Sequence, residues 1–330
     1  KKKKNGCSIL FFSHKLQEGG DLCHTAPVLR HGKVTGACDP TIETTDAIAR
    51  LMVGEGTPLS TDVPPADPGE SLLQMHSLSF RSEDPFGTSL DRICLNLRAG
   101  EIVGIAGVAG NGQDELLRAL SGEITVPAEH LTFQGMPVGN LGPDARRRQG
   151  MAVVPEDRLG RGAVPDLSLV DNTLLTASAQ GMVQRGWVSY NKVRDYAQRI
   201  RERFQVKASG LDATARSLSG GNLQKFIIGR EALQKPTLLV ASHPTWGVDV
   251  GSAVAIHQVL VELRDQGAAV LLISEDLDEL FQLCNRMGAI CGGRLSPLLP
   301  TPSLTIEQLG QWMAGDFADS ADAEVNHAVA

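Results

Sequence analysis

The stretch LSGGNLQK, at residues 218–225, decides the fold. A run with helical periodicity follows it, so we predict a helix over residues 222–234 with Ser219 at its N-cap position. The glycines leave backbone N–H groups at the helix start open to a ligand, and the helix dipole adds partial positive charge there. The stretch therefore predicts an anion-binding site, and the alternative is an ordinary capped helix after a loop.

A second glycine-rich loop lies upstream of this stretch. The apolar run EIVGIA (residues 101–106) predicts a buried strand, GVAGNGQD (residues 107–114) follows it, and a helical stretch begins at Glu115. The glycines fit the phosphate-binding pattern GxxxxGK[ST], but Gln113 stands at the lysine position and Asp114 at the position of the Mg²⁺-binding hydroxyl. The missing cation and the added carboxylate predict weak triphosphate binding. The alternative is that Asp114 and Glu115 only stabilise the first helical turn.

Composition excludes several classes of protein. The chain has 330 residues and a formal net charge of -7, with 4% aromatic residues. An acidic, aromatic-poor chain lacks the basic face and the stacking platforms that nucleic-acid binding needs. The six cysteines form no CxxC pair, which indicates reduced thiols. No apolar run approaches the roughly 20 residues of a membrane helix.

An internal repeat organises the chain. Residues 9–18 resemble residues 270–279 at an offset of 261 positions, and the same offset places Cys23 on Cys284. We therefore expect the C-terminal remnant of a first domain, a linker rich in proline and acid, a complete second copy and a flexible tail, whose bounds are 1–56, 57–71, 72–315 and 316–330. The body of the first copy is expected upstream, which makes the chain a fragment or a truncated product.

These motifs together resemble the ATP-binding-cassette (ABC) proteins, over residues 7–315. Further landmarks lie in the family's order: an apolar strand at 238–241 before the Walker B position, the D-loop at 244–249, and the switch position at Glu275. The run VPEDRLGRG at 154–162 is similar to the second cassette of tandem-cassette subunits in bacterial sugar and nucleoside importers. The resemblance implies an α/β, P-loop NTPase-type cassette with a mostly parallel central sheet, an antiparallel β subdomain and an α-helical subdomain.

The resemblance also assigns roles to single residues. Nucleotide contacts fall on Gly107, Gly110, Asn111, Gly112, Gln113, Asp114, Glu156, Ser219, Gly220, Gly221, Asn222 and Asp249. Six family positions for hydrolysis carry other residue types: Gln113 for lysine, Asp114 for the metal hydroxyl, Glu156 for the Q-loop glutamine, Ser242 for the Walker B aspartate, His243 for the catalytic glutamate and Glu275 for the switch histidine. The cassette's own site is therefore expected not to hydrolyse ATP, and no metal site is expected in this chain.

The positions that serve the other site of a cassette pair are retained. His14 matches the switch histidine of the first cassette, while the signature motif (residues 219–222) and Asp249 match groups that face ATP held by an opposing cassette. ATP and Mg²⁺ are thus expected at a composite site shared with the missing first cassette or a second copy. One alternative is an active ATPase that uses His243 and Glu156, and another is a soluble ABC protein acting on nucleic acid.

The resemblance further implies partners and a location. The partners would be transmembrane permease subunits, which residues 156–205 would contact, and an extracytoplasmic binding protein that delivers the solute. The chain would then lie on the cytoplasmic face of the membrane. Helices are predicted at 171–179 and 191–204, the second with a core stripe at Val193, Tyr196, Ile200 and Phe204. Phe80 and Phe86 are both candidates for stacking on adenine, and the transported solute is left open between nucleosides and simple sugars.

Overall fold

The protein is represented by a computed structural model, which describes residues 10, 23–30, 33–40, 42–43, 47–48, 51 and 63–317. His14 and much of the first half of the internal repeat lie outside the described residues. The strands are, in chain order, β1 (Ala26–Arg30), β2 (Lys33–Cys38), β3 (Ser71–Phe80), β4 (Leu90–Arg98), β5 (Ile102–Ala106), β6 (Leu131–Phe133), β7 (Met136–Pro137), β8 (Met151–Val154), β9 (Val183–Gln184), β10 (Trp187–Val188), β11 (Leu238–Ser242), β12 (Ala269–Ser274), β13 (Arg286–Cys291), β14 (Arg294–Leu295) and β15 (Leu299–Pro300).

The α-helices with described bounds are α1 (Gln113–Ser121), α2 (Pro143–Arg148), α3 (Leu169–Ala177), α4 (Tyr190–Arg203), α5 (Gly220–Ala232), α6 (Val250–Asp265), α7 (Leu277–Leu283) and α8 (Ile306–Met313). The sequence predicted α1, α3, α4 and α5 with boundaries displaced by one or two residues, which is the usual uncertainty of helix ends. No helix in the described ranges combines the length and the apolar character that a membrane span requires.

A seven-stranded sheet forms the centre of the fold. Its order is β14-β13-β5-β12-β11-β8, with β15 paired to β13. The pairs from β13 to β8 are all parallel, whereas β14 and β15 run antiparallel to β13. Every residue of β5, β11 and β12 is buried, as expected for parallel strands covered by other elements on both faces. Because the strands are parallel, the loops that follow β5, β8, β11 and β12 meet at one edge.

The two faces of this sheet are covered differently. On one face, α1 and an antiparallel sheet of order β4-β3-β6-β7 enclose a core that includes Leu73, Leu116 and Phe133. On the other face, a larger core joins the sheet to α5 and α6 and continues into a helical layer of α3, α4 and α5. The predicted stripe on α4 is confirmed as core, since Val193, Tyr196, Ile200 and Phe204 are all buried.

The hairpin of β1 and β2 repeats the pairing of a hairpin near the other end of the chain. Leu29 pairs with Val34, and Ile290 pairs with Leu295. Each partner in the first pair lies 261 positions before its counterpart in the second. The offset found in the sequence therefore relates two antiparallel pairs with the same register.

The expected domain limits differ from the structure at two points. Strand β3 begins at Ser71, which the sequence placed in the linker. At the other end, Phe317 packs against the larger core, and the guanidinium of Arg294 lies 5.4 Å from the centre of its ring. The aromatic ring finds apolar contact there, so the chain is anchored at Phe317 rather than free from residue 316. Residues 318–330 lie outside the described ranges.

Candidate functional site

The phosphate loop, residues 107–114, connects β5 to α1 and is filled from within by Gln113. This side chain is 5% exposed. Its Oε1 accepts a hydrogen bond of 3.0 Å from the backbone N–H of Asn111, and its Nε2 donates one of 2.8 Å to the carbonyl of Val108. A Cβ added at Gly107 would lie 2.5 Å from Nε2, so only glycine lets Gln113 reach this place. The amide that replaces the lysine thus binds the loop itself.

Glu275 closes the loop from the neighbouring strand. It follows β12 at the switch position, and its Oε1 accepts a 2.7 Å hydrogen bond from the backbone N–H of Ala109. This N–H belongs to the glycine loop whose amides meet phosphate oxygens in proteins of this type. Two loop amides, those of Ala109 and Asn111, are therefore already satisfied by oxygen atoms of the chain's own side chains.

Asp114 forms an ion pair rather than an open metal ligand. Arg161, in the loop after β8, pairs with Asp114 and also donates to Glu123 at 3.0 Å. Burial alone lowers the pKa of Arg161, but its hydrogen bonds to both carboxylates and their charges outweigh burial and raise it. Among the residues that the structure describes, no group of three or more His, Cys, Asp or Glu side chains is suited to a metal ion. The carboxylate at the position of the Mg²⁺-binding hydroxyl is therefore held by a guanidinium.

Residues 242 and 243, at the Walker B position, form a buried polar pair next to Glu156. His243 is 9% exposed, with Nδ1 3.0 Å from the Ser242 hydroxyl and 3.4 Å from a carboxylate oxygen of Glu156. Its φ of 47° lies in the left-handed region that non-glycine residues rarely adopt. His243 is thus packed inside the domain. The structure also places it in contact with Glu156, as the alternative of an unusual catalytic site requires.

The signature motif starts α5 with Ser219 at the N-cap position, as predicted, but the serine side chain does not cap the helix. Ser219 occupies the N-cap position, yet its hydroxyl makes no hydrogen bond to a backbone N–H of the first turn. It accepts instead a 2.8 Å bond from the side-chain amide of Asn222, whose oxygen accepts from the backbone of Lys207. Because the Ser219 hydroxyl is bonded to Asn222, it does not cap the backbone N–H groups at the start of α5.

The D-loop packs against the signature motif. A Cβ added at Gly221 would lie 2.9 Å from a carboxylate oxygen of Asp249 and 2.7 Å from the Ser252 hydroxyl. Asp249 caps α6 by accepting a 2.9 Å bond from the backbone N–H of Ser252. Burial alone raises the pKa of Asp249, but its bonds to Ser252 outweigh that effect and lower it. The two motifs therefore share one surface.

The signature motif and the phosphate loop differ in the charged side chains that border them. A Cβ added at Gly220 would lie 2.8 Å from a guanidinium nitrogen of Arg158, and the Lys225 ammonium donates to the Gln205 carbonyl close to the start of α5. At the phosphate loop, Glu275 and Asp114 contribute carboxylates, and Asp114 is paired with Arg161. Cations beside a helix start favour an anion. Arg158 and Lys225 therefore favour an anion at the signature surface.

The structure separates the two candidates for adenine stacking. Phe80 is half-buried and packs against the smaller core, whereas Phe86 is 96% exposed. Phe86 belongs to a turn that is tied to the phosphate loop, because the Thr88 hydroxyl donates to the Gly110 carbonyl at 2.7 Å. Asn111, the residue after Gly110, is bound on another side, because its side-chain oxygen accepts a hydrogen bond from the backbone N–H of Gly292. Of the two phenylalanines, Phe86 is the one that is both exposed and next to the phosphate loop.

Comparison with known proteins agrees with this geometry. Residues 90–246, from β4 to the start of the D-loop, match the family model described as ABC transporter. The chain contains an ABC transporter ATP-binding domain. This domain is similar in fold to solved ATP-binding cassettes, which confirms the fold class expected from the sequence. One, described as the ATP-binding subunit of an ABC transporter, has a TM-score of 0.59 at 20% identity and covers 74% of this chain and 99% of its own. Another, a dimeric cassette in a post-hydrolysis state bound to ADP and Pi, has a TM-score of 0.60 at 20% identity and covers 71% and 100%.

Curated relatives with higher identity are import ATP-binding proteins. The nucleoside import ATP-binding protein NupA of Lactococcus lactis is 36% identical over 313 residues, which are 94% of this chain and 62% of the relative. The guanosine import ATP-binding protein NupO of Bacillus subtilis is 37% identical over 324 residues, 96% of this chain and 62% of the relative. The chain therefore spans about three fifths of the length of these relatives.

Sequence reasoning missed the role of Arg161. It included this residue in the run VPEDRLGRG and gave it no task at the phosphate loop. The signal was faint: an arginine in a glycine-rich loop and an unusual aspartate 47 positions upstream. Only the fold brings their side chains together.

Proposed function

We propose that this chain is the ATP-binding part of an ABC importer for nucleosides or simple sugars, and that its cassette supports hydrolysis at another site without hydrolysing ATP at its own. The names of the relatives support the solute class, since they are import proteins for nucleosides, guanosine, glucose and ribose. The solute itself would be selected by permease subunits and by an extracytoplasmic binding protein, with the cassette at the cytoplasmic face of the membrane.

The observation that carries this proposal is the closed phosphate loop. Gln113 and Glu275 accept hydrogen bonds from backbone amides of the loop, and Arg161 forms an ion pair with Asp114. Hydrolysis needs a charge clamp on the phosphates, a metal ion and a positioned water. A loop whose amides are bound by its own side chains offers the phosphates no charge clamp. With Asp114 paired to Arg161, it offers no open carboxylate to a metal ion either. The cassette is therefore stable in an empty state and gains little from triphosphate.

The surface formed by the signature motif and the D-loop supports a role towards a partner. Ser219 and Gly220 are exposed beside Arg158, and Asp249 is exposed at the end of the D-loop. We propose that these groups contact ATP with Mg²⁺ on an opposing cassette, either a first cassette of the same subunit or a second copy. The matching registers of the β1–β2 and β13–β14 hairpins support a tandem arrangement with residues 57–71 as linker.

Phosphate release tests the proposal. The purified chain with Mg²⁺ and ATP should release no phosphate above a blank. Addition of the opposing cassette, with its own lysine and acidic pair, should restore release. Ser219→Arg should abolish the restored rate by blocking the signature surface, while the matched control Ser303→Arg, at another exposed serine, should leave it within twofold. Magnesium-dependent release by the chain alone would contradict the proposal.

The contact between His243 and Glu156 favours a second candidate function, an ATPase with an unusual site. In that mechanism His243 accepts a proton from the attacking water while Glu156 orients the histidine. His243→Ala in the assembled pair of cassettes distinguishes the two functions. The second candidate requires a large loss of rate, whereas the proposal above expects a rate within twofold of the unmodified protein.

A further inference from the structure

A buried carboxylate outside the phosphate site joins four elements of the domain. The Glu279 side chain, on α7, is 3% exposed. Its Oε1 accepts hydrogen bonds from the Thr245 hydroxyl at 2.6 Å and from His257 Nε2 at 2.9 Å, and its Oε2 accepts from the Ser274 hydroxyl at 2.7 Å. Thr245 lies in the D-loop, His257 on α6 and Ser274 at the end of β12. We call these four residues the Glu279 cluster.

The cluster is fully satisfied in spite of its burial. Burial alone raises the pKa of Glu279, but hydrogen bonds from His257, Thr245 and Ser274, with the charge of His257, outweigh burial and lower it. Hydrogen bonds to a charged group are shorter and stronger than neutral ones. A buried network in which every member has a partner holds its elements in one arrangement.

The Glu279 cluster lies between the D-loop and the end of β12. Thr245 is the second residue of the D-loop, and Asp249, its last residue, caps α6. The loop is thus held by a carboxylate at each end, and between them stand Trp246, which is 67% exposed, and Gly247. At the other side of the cluster, Ser274 directly precedes Glu275, which binds the phosphate loop. One carboxylate therefore connects the exposed D-loop to the strand end that closes the phosphate loop.

We propose that Glu279 is a positioning residue, which holds the D-loop in the conformation presented to a partner and couples it to the switch position through Thr245 and Ser274. The role in catalysis rests on the proposed function, which assigned a contact to the D-loop but no task to Glu279. The effect on D-loop conformation does not depend on it. Glu279 is buried and acts through the neighbours to which it is bonded.

The three tryptophans supply a local test. In protein labelled with 5-fluorotryptophan, ¹⁹F NMR gives one signal each for Trp187, Trp246 and Trp312, and Trp246→Phe assigns the D-loop signal. Glu279→Gln keeps the size of the side chain but leaves one acceptor oxygen in place of two. We expect the Trp246 signal to shift or broaden, with the other two unchanged. Amide hydrogen exchange across residues 245–249 should become about tenfold faster, the effect of losing one to two hydrogen bonds.

Matched variants separate positioning from general destabilisation. Glu101→Gln removes an equally buried carboxylate, 1% exposed and paired with Arg286, and should leave the Trp246 signal in place. Thr245→Val should reproduce the effect of Glu279→Gln, and Thr245→Ser, which keeps the hydroxyl, should restore the original spectrum. An unchanged Trp246 signal in Glu279→Gln, or an equal response of all three tryptophans, overturns the proposal. The NMR measurement needs neither nucleotide nor partner, so a failed phosphate-release test leaves its result standing.

Discussion

Removal of the Glu275 carboxylate should open the phosphate loop to nucleotide. The side chain competes with an incoming phosphate for the N–H of Ala109, which it binds at 2.7 Å. Glu275→Ala removes both the acceptor and the negative charge. Glu275→Gln keeps an acceptor oxygen and removes only the charge, so its effect should lie between those of the unmodified protein and the alanine variant.

The structure sets the size of the effect. A hydrogen bond to a charged group contributes about 1.5–3 kcal/mol, and the exposure of Glu275 favours the lower end because water weakens such contacts. Since about 1.4 kcal/mol corresponds to a factor of ten, Glu275→Ala should bind nucleotide about tenfold more tightly. The same gain is expected with and without Mg²⁺, because Asp114 is already paired with Arg161.

Fluorescence titration with a labelled ADP and a labelled ATP measures this gain. Glu262→Gln is the control, because it removes an exposed carboxylate that pairs with Arg203 on α4, and it should bind as the unmodified protein does. An alanine variant that binds no more tightly than the unmodified protein would refute competition by Glu275. A gain that appears only with Mg²⁺ would refute the inference that Arg161, by pairing with Asp114, keeps a metal ion from that carboxylate.

Three further predictions concern stability, acid response and base stacking. Glu231, 0% exposed, is bonded to Arg230 and Arg147, so Glu231→Gln should lower the free energy of unfolding in urea by about 3–5 kcal/mol by leaving a buried cation unpaired. Glu262→Gln, at an exposed pair, should lower it by about 0–1 kcal/mol, and equal losses would contradict this account. Burial alone raises the pKa of Glu231, but the charges of the two arginines outweigh burial and hold the pKa below the ordinary 4.5. Its stabilisation is therefore present above pH 4.5 and lost as pH falls through the folded value, so urea titrations of Glu231→Gln should show a shallower loss of stability as the pH drops below 4.5. In the Glu275→Ala background, Phe86→Ala should weaken labelled-ADP binding about tenfold if its exposed ring stacks on the base, since such stacking contributes about 1–3 kcal/mol, and unchanged binding would exclude Phe86 from that role.

Local patterns in the sequence predicted several elements of the fold. Apolar runs marked β5 and β11 as strands, and helical periodicity marked α4 and its core stripe. The spacing of the glycines identified the phosphate loop, and LSGG identified the start of α5. Each of these signals is contained within a few residues, because strand burial, helix periodicity and glycine turns are properties of short segments.

The sequence by itself determined which groups the phosphate loop lacks, since the absent lysine and metal ligands are visible at Gln113, Asp114 and Ser242. Only the tertiary structure decided what takes their place. Glu275 reaches Ala109 from 166 positions away, and Arg161 reaches Asp114 from 47. Parallel strands bring the loops at their carboxyl ends to one edge regardless of separation along the chain. A side chain that satisfies such a loop therefore leaves no pattern in its own neighbourhood.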